Sequence, residues 1–209
     1  MYKFLLASFL MAASSGILPA AVLYDVTIDT SSLTGDGALS LQIGVTGDPD
    51  PLSVSLRNFA IPGGSLNGLA EKCFGALPCP ITGELPGDTE LIFDNSENFA
   101  EYFQTLTWGS SLSFQLIFQG AAITNPTLGA GASSFEVFLL DANGIEGFLS
   151  TDPLGTLLAF EVDETGILAS NFSNAGTADV SLIPEPSVFV LSLLGLSLVA
   201  LRYRRFAVR

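Results

Sequence analysis

Apolar and polar side chains alternate with a period of two along much of this chain. Tyr24, Val26 and Ile28 are separated by polar residues, as are Leu39, Leu41 and Ile43, and the run Leu112, Phe114, Leu116, Phe118 repeats the pattern. Such alternation gives a strand one face for a core and one for water. It predicts strands over Leu23–Thr30, Ala38–Val45, Leu52–Ala60, Thr89–Asp94, Tyr102–Trp108, Leu112–Gln119, Ser134–Asp141, Thr156–Asp163, Ile167–Phe172 and Ala178–Ile183. Gly, Pro, Asn and Asp interrupt the runs about every ten residues, the rhythm of an antiparallel β-sandwich or jelly roll. The fold class read from the pattern is therefore all-β. One stretch also fits a helical period. Phe99, Phe103 and Leu106 fall at i, i+4 and i+7, with Asn95 or Ser96 available to cap the turn. The segment from Ile61 to Gly87 is irregular, rich in Gly and Pro, and holds both cysteines.

The two ends depart from this pattern. At the N-terminus Lys3 precedes an apolar run from Phe4 to Ala13, followed by small and helix-breaking residues through Pro19, Ala20 and Ala21. That order fits a secretory signal peptide cut after Ala20 or Ala21 by signal peptidase. The run is too short for a membrane span, which needs about 20 residues. No cysteine lies near this exit, which argues against a lipid anchor. At the other end Val188–Leu201 is free of charge, and Arg202, Arg204, Arg205 and Arg209 follow it. As a helix this run covers about 21 Å, short of a hydrocarbon core of about 30 Å. Snorkelling side chains and local thinning absorb such a mismatch. The arginine cluster acts as a stop-transfer signal that leaves the tail in the cytoplasm and the domain outside. The organisation read from the sequence is a signal peptide over 1–21, a β ectodomain over 22–182 and a C-terminal segment with one transmembrane helix over 183–209.

Between the ends lie about 160 residues, enough for one domain with a sizeable core. All 21 acidic residues fall between Asp25 and Glu185, while Arg57 and Lys72 are the basic residues of this region. So anionic a domain lacks the footprint for nucleic acid. The chain has no histidine, which removes histidine-dependent triads and most zinc and copper sites. No cofactor is implied.

Cys73 and Cys79 enclose Phe-Gly-Ala-Leu-Pro. In an exported protein two cysteines this close, with glycine and proline between them, most simply form a local disulfide. The redox or metal alternative lacks both the usual spacing and a histidine partner. Asp141-Ala142-Asn143-Gly144 resembles part of a calcium loop but lacks the ligand series, and Asn-Gly between apolar runs signals a hairpin. Asp48-Pro49-Asp50 reads as a turn with carboxylate oxygens to spare. Asp88, Glu90, Asp94 and Glu97 cluster in sequence, but a strand separates Asp88 from Asp94. No metal ligand set is assigned. Glycoside hydrolysis needs two acids at a set separation, and nothing in the pattern selects a pair. Tyr24, Tyr102 and Trp108 are either a sugar-stacking platform or core. No catalytic residue is assigned.

Pro184-Glu185-Pro186 stands immediately before the apolar run with its internal Gly195 and the arginine cluster. The three parts in this order resemble a PEP-CTERM sorting signal, with Ile183 where valine is usual. The resemblance covers about an eighth of the chain. It implies an exported protein of a Gram-negative bacterium that makes extracellular polysaccharide. It also implies recognition by exosortase, a membrane-embedded cysteine transpeptidase, at the tripeptide. Two prolines hold the chain extended there, as a cleft-bound peptide requires. The ectodomain is also similar to an uncharacterised family of such proteins, through LYDVTIDTSSL, FDNSENFAEYFQTLTWGSSLSFQLIF and SSFEVFLLD. That similarity implies no activity.

The expected life history is export, a transient inner-membrane form, then the cell surface or the extracellular matrix. Two roles fit the ectodomain: a non-catalytic structural module associated with extracellular polysaccharide, or a polysaccharide-modifying hydrolase using a carboxylate pair. The missing histidine and missing nucleophile motif favour the first. A plain single-pass anchor is the alternative reading of the tail.

Overall fold

The computed structural model describes residues 21–75, 77–85, 90–174 and 176–183. The expected signal peptide through Ala20, Pro184-Glu185-Pro186, the apolar run and Arg202, Arg204 and Arg205 lie outside them. Among the described residues no helix is long and apolar enough to cross a membrane.

The chain forms β1 (Ala21–Asp29), β2 (Asp36–Thr46), β3 (Leu52–Ala60), β4 (Ser65–Leu66), β5 (Glu71–Lys72), a 3-10 turn at Cys73–Gly75, β6 (Ile81–Thr82), β7 (Leu91–Asp94), β8 (Phe99–Thr107), β9 (Ser111–Gly120), a helical turn α1 (Ala121–Thr124), β10 (Ala132–Asp141), β11 (Thr156–Asp163), β12 (Gly166–Asn171) and β13 (Ala178–Ile183). These build two antiparallel sheets, ordered β13-β1-β9-β3-β7-β6 and β12-β11-β10-β2-β8-β4, with β5 also on β8. The all-β expectation holds. The chain crosses between the sheets at β1–β2, β2–β3, β7–β8, β8–β9 and β9–β10, so most central neighbours are distant in sequence, whereas β6–β7 and β10–β11–β12 pair in chain order within one sheet.

The alternating positions named above face the space between the sheets. Val26, Ile28, Leu39, Leu41, Ile43, Leu112, Phe114, Leu116 and Phe118 are all buried. Aromatic rings close the gap between the layers. Phe118 of the first sheet lies 5.3 Å from Phe160 and 6.3 Å from Phe135 of the second, centroid to centroid. Tyr24 meets Phe160 at 5.2 Å and Phe93 meets Phe135 at 5.1 Å. Offset and edge-on contacts of this kind add to the burial of the rings themselves. Two stacked sheets with one shared core are the arrangement of a β-sandwich.

The helical opening over Asn95–Leu106 does not form. β8 pairs residue for residue with β2, from Gly44–Phe99 to Asp36–Thr107. A period of two then puts Phe99 and Phe103 on the outer face and Leu106 inside, whereas a helix would have gathered all three on one side. Asn95 ties loops together instead of capping a helix. Its Oδ1 accepts from the Leu52 amide at 2.8 Å, and its Nδ2 donates to the Asp50 carbonyl at 2.8 Å and Ser133 Oγ at 2.9 Å. The Ile61–Gly87 segment is more regular than expected, since β4, β5 and β6 are drawn from it. β4 and β5 lie on the second sheet and β6 on the first, so this segment seals one side of the sandwich.

The opposite side is less closed. β12 and β13 are the free edges of their sheets. Leu182 stands opposite Tyr24 on the core face yet remains 58% exposed.

Candidate functional site

The candidate features sit on the sealed side, at one end of the sandwich and on the outer face of the second sheet. The expected cystine is present: Cys73 and Cys79 are bridged, with Cα atoms 5.8 Å apart. The bridge lies where the chain passes from β5 to β6, and its neighbours anchor it. Lys72 Nζ donates to the Gly83 carbonyl at 2.5 Å and pairs with Glu84 at 3.3 Å. The Leu85 amide donates to the Tyr102 hydroxyl at 3.0 Å. Cys73 and Phe74 both adopt the left-handed region, at φ 51° and 46°, which is costly for residues with a Cβ. Phe74 and Leu77 project outward from the ring.

A cleft of about 670 Å³ opens at the end where β2 turns into β3 and β7 into β8. Asp48, Asp94 and Glu97 line it together with Ser53, Asn95 and Asn98. The backbone holds its shape: the Val45 amide donates to the Asn98 carbonyl at 3.0 Å, and the Ser96 amide to Asp94 Oδ1 at 3.0 Å. Gly120 closes the floor at φ 119°, where a Cβ would fall 2.4 Å from the Pro51 carbonyl oxygen. The lining offers carboxylates, amides and hydroxyls, a set suited to a neutral, hydroxyl-rich ligand. Asp50 points away from the cleft. Its carboxylate accepts from the Thr127 amide at 2.5 Å and the Thr127 hydroxyl at 2.9 Å, tying two loops.

The second sheet carries the carboxylates that the sequence did not single out. Glu101 on β8 and Glu136 on β10 both stand opposite Gln42 on the strand between them. Two strand spacings separate their backbones, about 10 Å. Glu101 accepts from Ser40 Oγ at 2.5 Å and from Gln42 Nε2 at 3.3 Å. Burial pushes the Glu136 carboxyl above its ordinary range. A hydrogen bond from Ser134 opposes this, and the charges of Asp152 and Glu161 add to it.

Other candidate residues have structural roles. Tyr24, Tyr102 and Trp108 do not form an exposed stacking platform, because all three belong to the core. Burial raises the pKa of both tyrosines. Trp108 packs edge-on to Phe148 at 6.2 Å and lies over Gly37. The Asn143-Gly144 signal marks a reversal in which the Asp141 amide donates to the Glu146 carbonyl. Asp141 Oδ1 accepts from the amides of Ile145 and Glu146 at 2.8 and 3.2 Å. These bonds, that from Ile145 first, hold the Asp141 carboxyl below its usual range. Asp88 lies outside the described residues. Among those described, no group of three or more acidic, cysteine or histidine side chains is placed to hold a metal ion.

These features define an all-β protein of two stacked antiparallel sheets, stapled on one side by a cystine and bearing a polar cleft at one end. The chain matches no protein-family model, no curated protein and no solved structure.

Proposed function

We propose that the chain is the precursor of an exported surface or matrix protein, sorted through Pro184-Glu185-Pro186. Its ectodomain is a non-catalytic module that associates with extracellular polysaccharide. One observation carries the reading of the ends. β1 and β13 are adjacent and antiparallel, and Leu23 pairs with Ile183. The start of β1 and the end of β13 therefore lie side by side at one end of the domain, an arrangement that suits two flanking segments inserted in the same membrane. Pro184 follows the last paired residue directly, and proline cannot extend a ladder from its missing N–H. The strand order supports reading the sandwich as a jelly roll. The orders β1-β9-β3-β7 and β2-β8-β4 are what two interleaved Greek keys produce, with β10 to β13 added at the flank.

In this reading Val188–Leu201 halts export, with Arg202, Arg204 and Arg205 on the cytoplasmic side. An exosortase-like transpeptidase then cuts near the tripeptide. Replacing Pro184, Glu185 and Pro186 by alanine tests it: the mutant should accumulate uncut in the inner membrane. A plain anchor, which needs only hydrophobicity and positive charge, would tolerate the change.

The cleft lined by Asp48, Asp94 and Glu97 supports a role in saccharide association, its carboxylates and amides matching sugar hydroxyls. A second reading rests on the Glu101–Gln42–Glu136 row. There burial pushes the Glu136 carboxyl above its ordinary range and Glu101 accepts from Ser40 and Gln42, and a pair of acids is what glycoside hydrolysis uses. A glycan pull-down run beside a hydrolysis assay on the host's own exopolysaccharide separates them. Binding without turnover supports the module; turnover abolished by Glu136→Gln supports the enzyme.

A further inference from the structure

We infer that the last three residues of β13, Ser181 to Ile183, form the docking strand for the membrane transpeptidase and must leave β1 before the chain is cut. This rests on the sorting role proposed above for Pro184-Glu185-Pro186. β13 keeps its register with β1 to its final residue: Ser181 pairs with Asp25, Leu182 with Tyr24 and Ile183 with Leu23. Pro184 is the next residue, so no spacer stands between the folded sandwich and the tripeptide. A peptide entering a cleft as an added strand presents its backbone groups along both edges. While Ile183 is in the sheet, one of its backbone edges is occupied by β1. Releasing three residues supplies about 10 Å of extended chain, enough to carry the tripeptide clear of the domain end.

The end of β13 is built to let go. It has one neighbour in its sheet, whereas β1 is held on both sides, by β13 and β9. Leu182, the side chain in this stretch that shares the core face with Tyr24, is 58% exposed and so buries little. Ser181 and Ile183 lie on the outer face, Ser181 exposed and Ile183 part-buried. Val180, further back, packs against the core, and peeling stops there. The β1 core positions Val26 and Ile28 stay buried against β9 throughout, so release of the three residues does not open the sandwich.

Two engineered cysteine pairs test this in full-length protein incubated with membranes of a host that carries the transpeptidase. Leu23→Cys with Ile183→Cys locks the releasing end. Thr27→Cys with Asp179→Cys locks the far end, on the same outer face and at the same type of pair. Locking the releasing end should slow cleavage at least tenfold, with reductant restoring it, while the far lock is cut at the wild-type rate. Inserting four Gly-Ser residues between Ile183 and Pro184 should rescue the first lock without reductant. Cleavage of the oxidised Leu23/Ile183 variant at the wild-type rate overturns the inference while leaving the sorting role intact. Failure of the spacer to rescue overturns it too. A wild-type chain that is never cut overturns both this inference and the sorting role on which it rests.

Discussion

Truncating Phe118 to alanine should be among the most damaging single changes in this domain. Phe118 is fully buried on β9, with β1 on one side and β3 on the other. Its ring touches Tyr24 at 5.9 Å within its own sheet, and Phe135 and Phe160 across the gap. Loss of a buried phenylalanine costs about 3–5 kcal/mol, as transfer energy and residual cavity together. The three ring contacts place Phe118→Ala at the upper end of that range, since each aromatic pair adds about 0.5–1.5 kcal/mol. Domains of this size hold about 5–15 kcal/mol in total, so the variant keeps a fold but loses much of its margin. At about 2–4 °C per kcal/mol, the midpoint should fall by about 10–15 °C. Chemical denaturation of the purified protein, followed by circular dichroism, measures the loss. Leu168→Ala, at a side chain 62% exposed on the edge strand β12, serves as the control and should change stability by less than about 0.5 kcal/mol. A loss below about 1.5 kcal/mol for Phe118→Ala would show that the two sheets do not meet across these rings.

Three further expectations follow from the same geometry. Cys73→Ser with Cys79→Ser should cost about 2 kcal/mol, because the closed loop is short; non-reducing peptide mapping of wild type should find one linked peptide, and two alkylatable thiols would contradict the bridge. Gly37→Ala should cost about 1–3 kcal/mol, because a Cβ there would fall 2.3 Å from the Trp108 ring; a neutral result in a melt would mean that the indole packs elsewhere. Burial raises the Glu136 pKa in the folded state, so its ionisation opposes folding as pH rises through the ordinary glutamate range, and the penalty is absent below that range. Glu136→Gln should therefore be stabilising at pH 7 and near neutral at pH 3; equal effects at both would show that the shift is not what the substitution removes.

The strand pattern carries much of this fold, and its failures have physical causes. β3, β11 and β13 begin and end at the residues that the pattern predicts. β4, β5 and β6 are two residues each and carry no period; they exist because the edges of β8 and β7 offer unpaired backbone groups. Over Asn95–Leu106 the apolar spacing satisfied both a helix and a strand, and the long ladder with β2 decided it. Tyr24 and Tyr102 fitted either a surface platform or the core, and their rings point inward from β1 and β8. Glu101 and Glu136 are 35 positions apart in the sequence; only the register of three strands brings them to one row. The cleft was equally hidden, since its lining comes from two turns far apart in sequence, each crossing between the sheets.

The proposed processing of the two ends is tested most directly by the termini of mature surface material. Mass spectrometry of that material should find a first residue within one or two positions of Val22 and a last residue at or near Pro184-Glu185-Pro186, with no peptide from Val188–Leu201. Surface protein that still carries Met1 and an intact Arg209 would contradict the account.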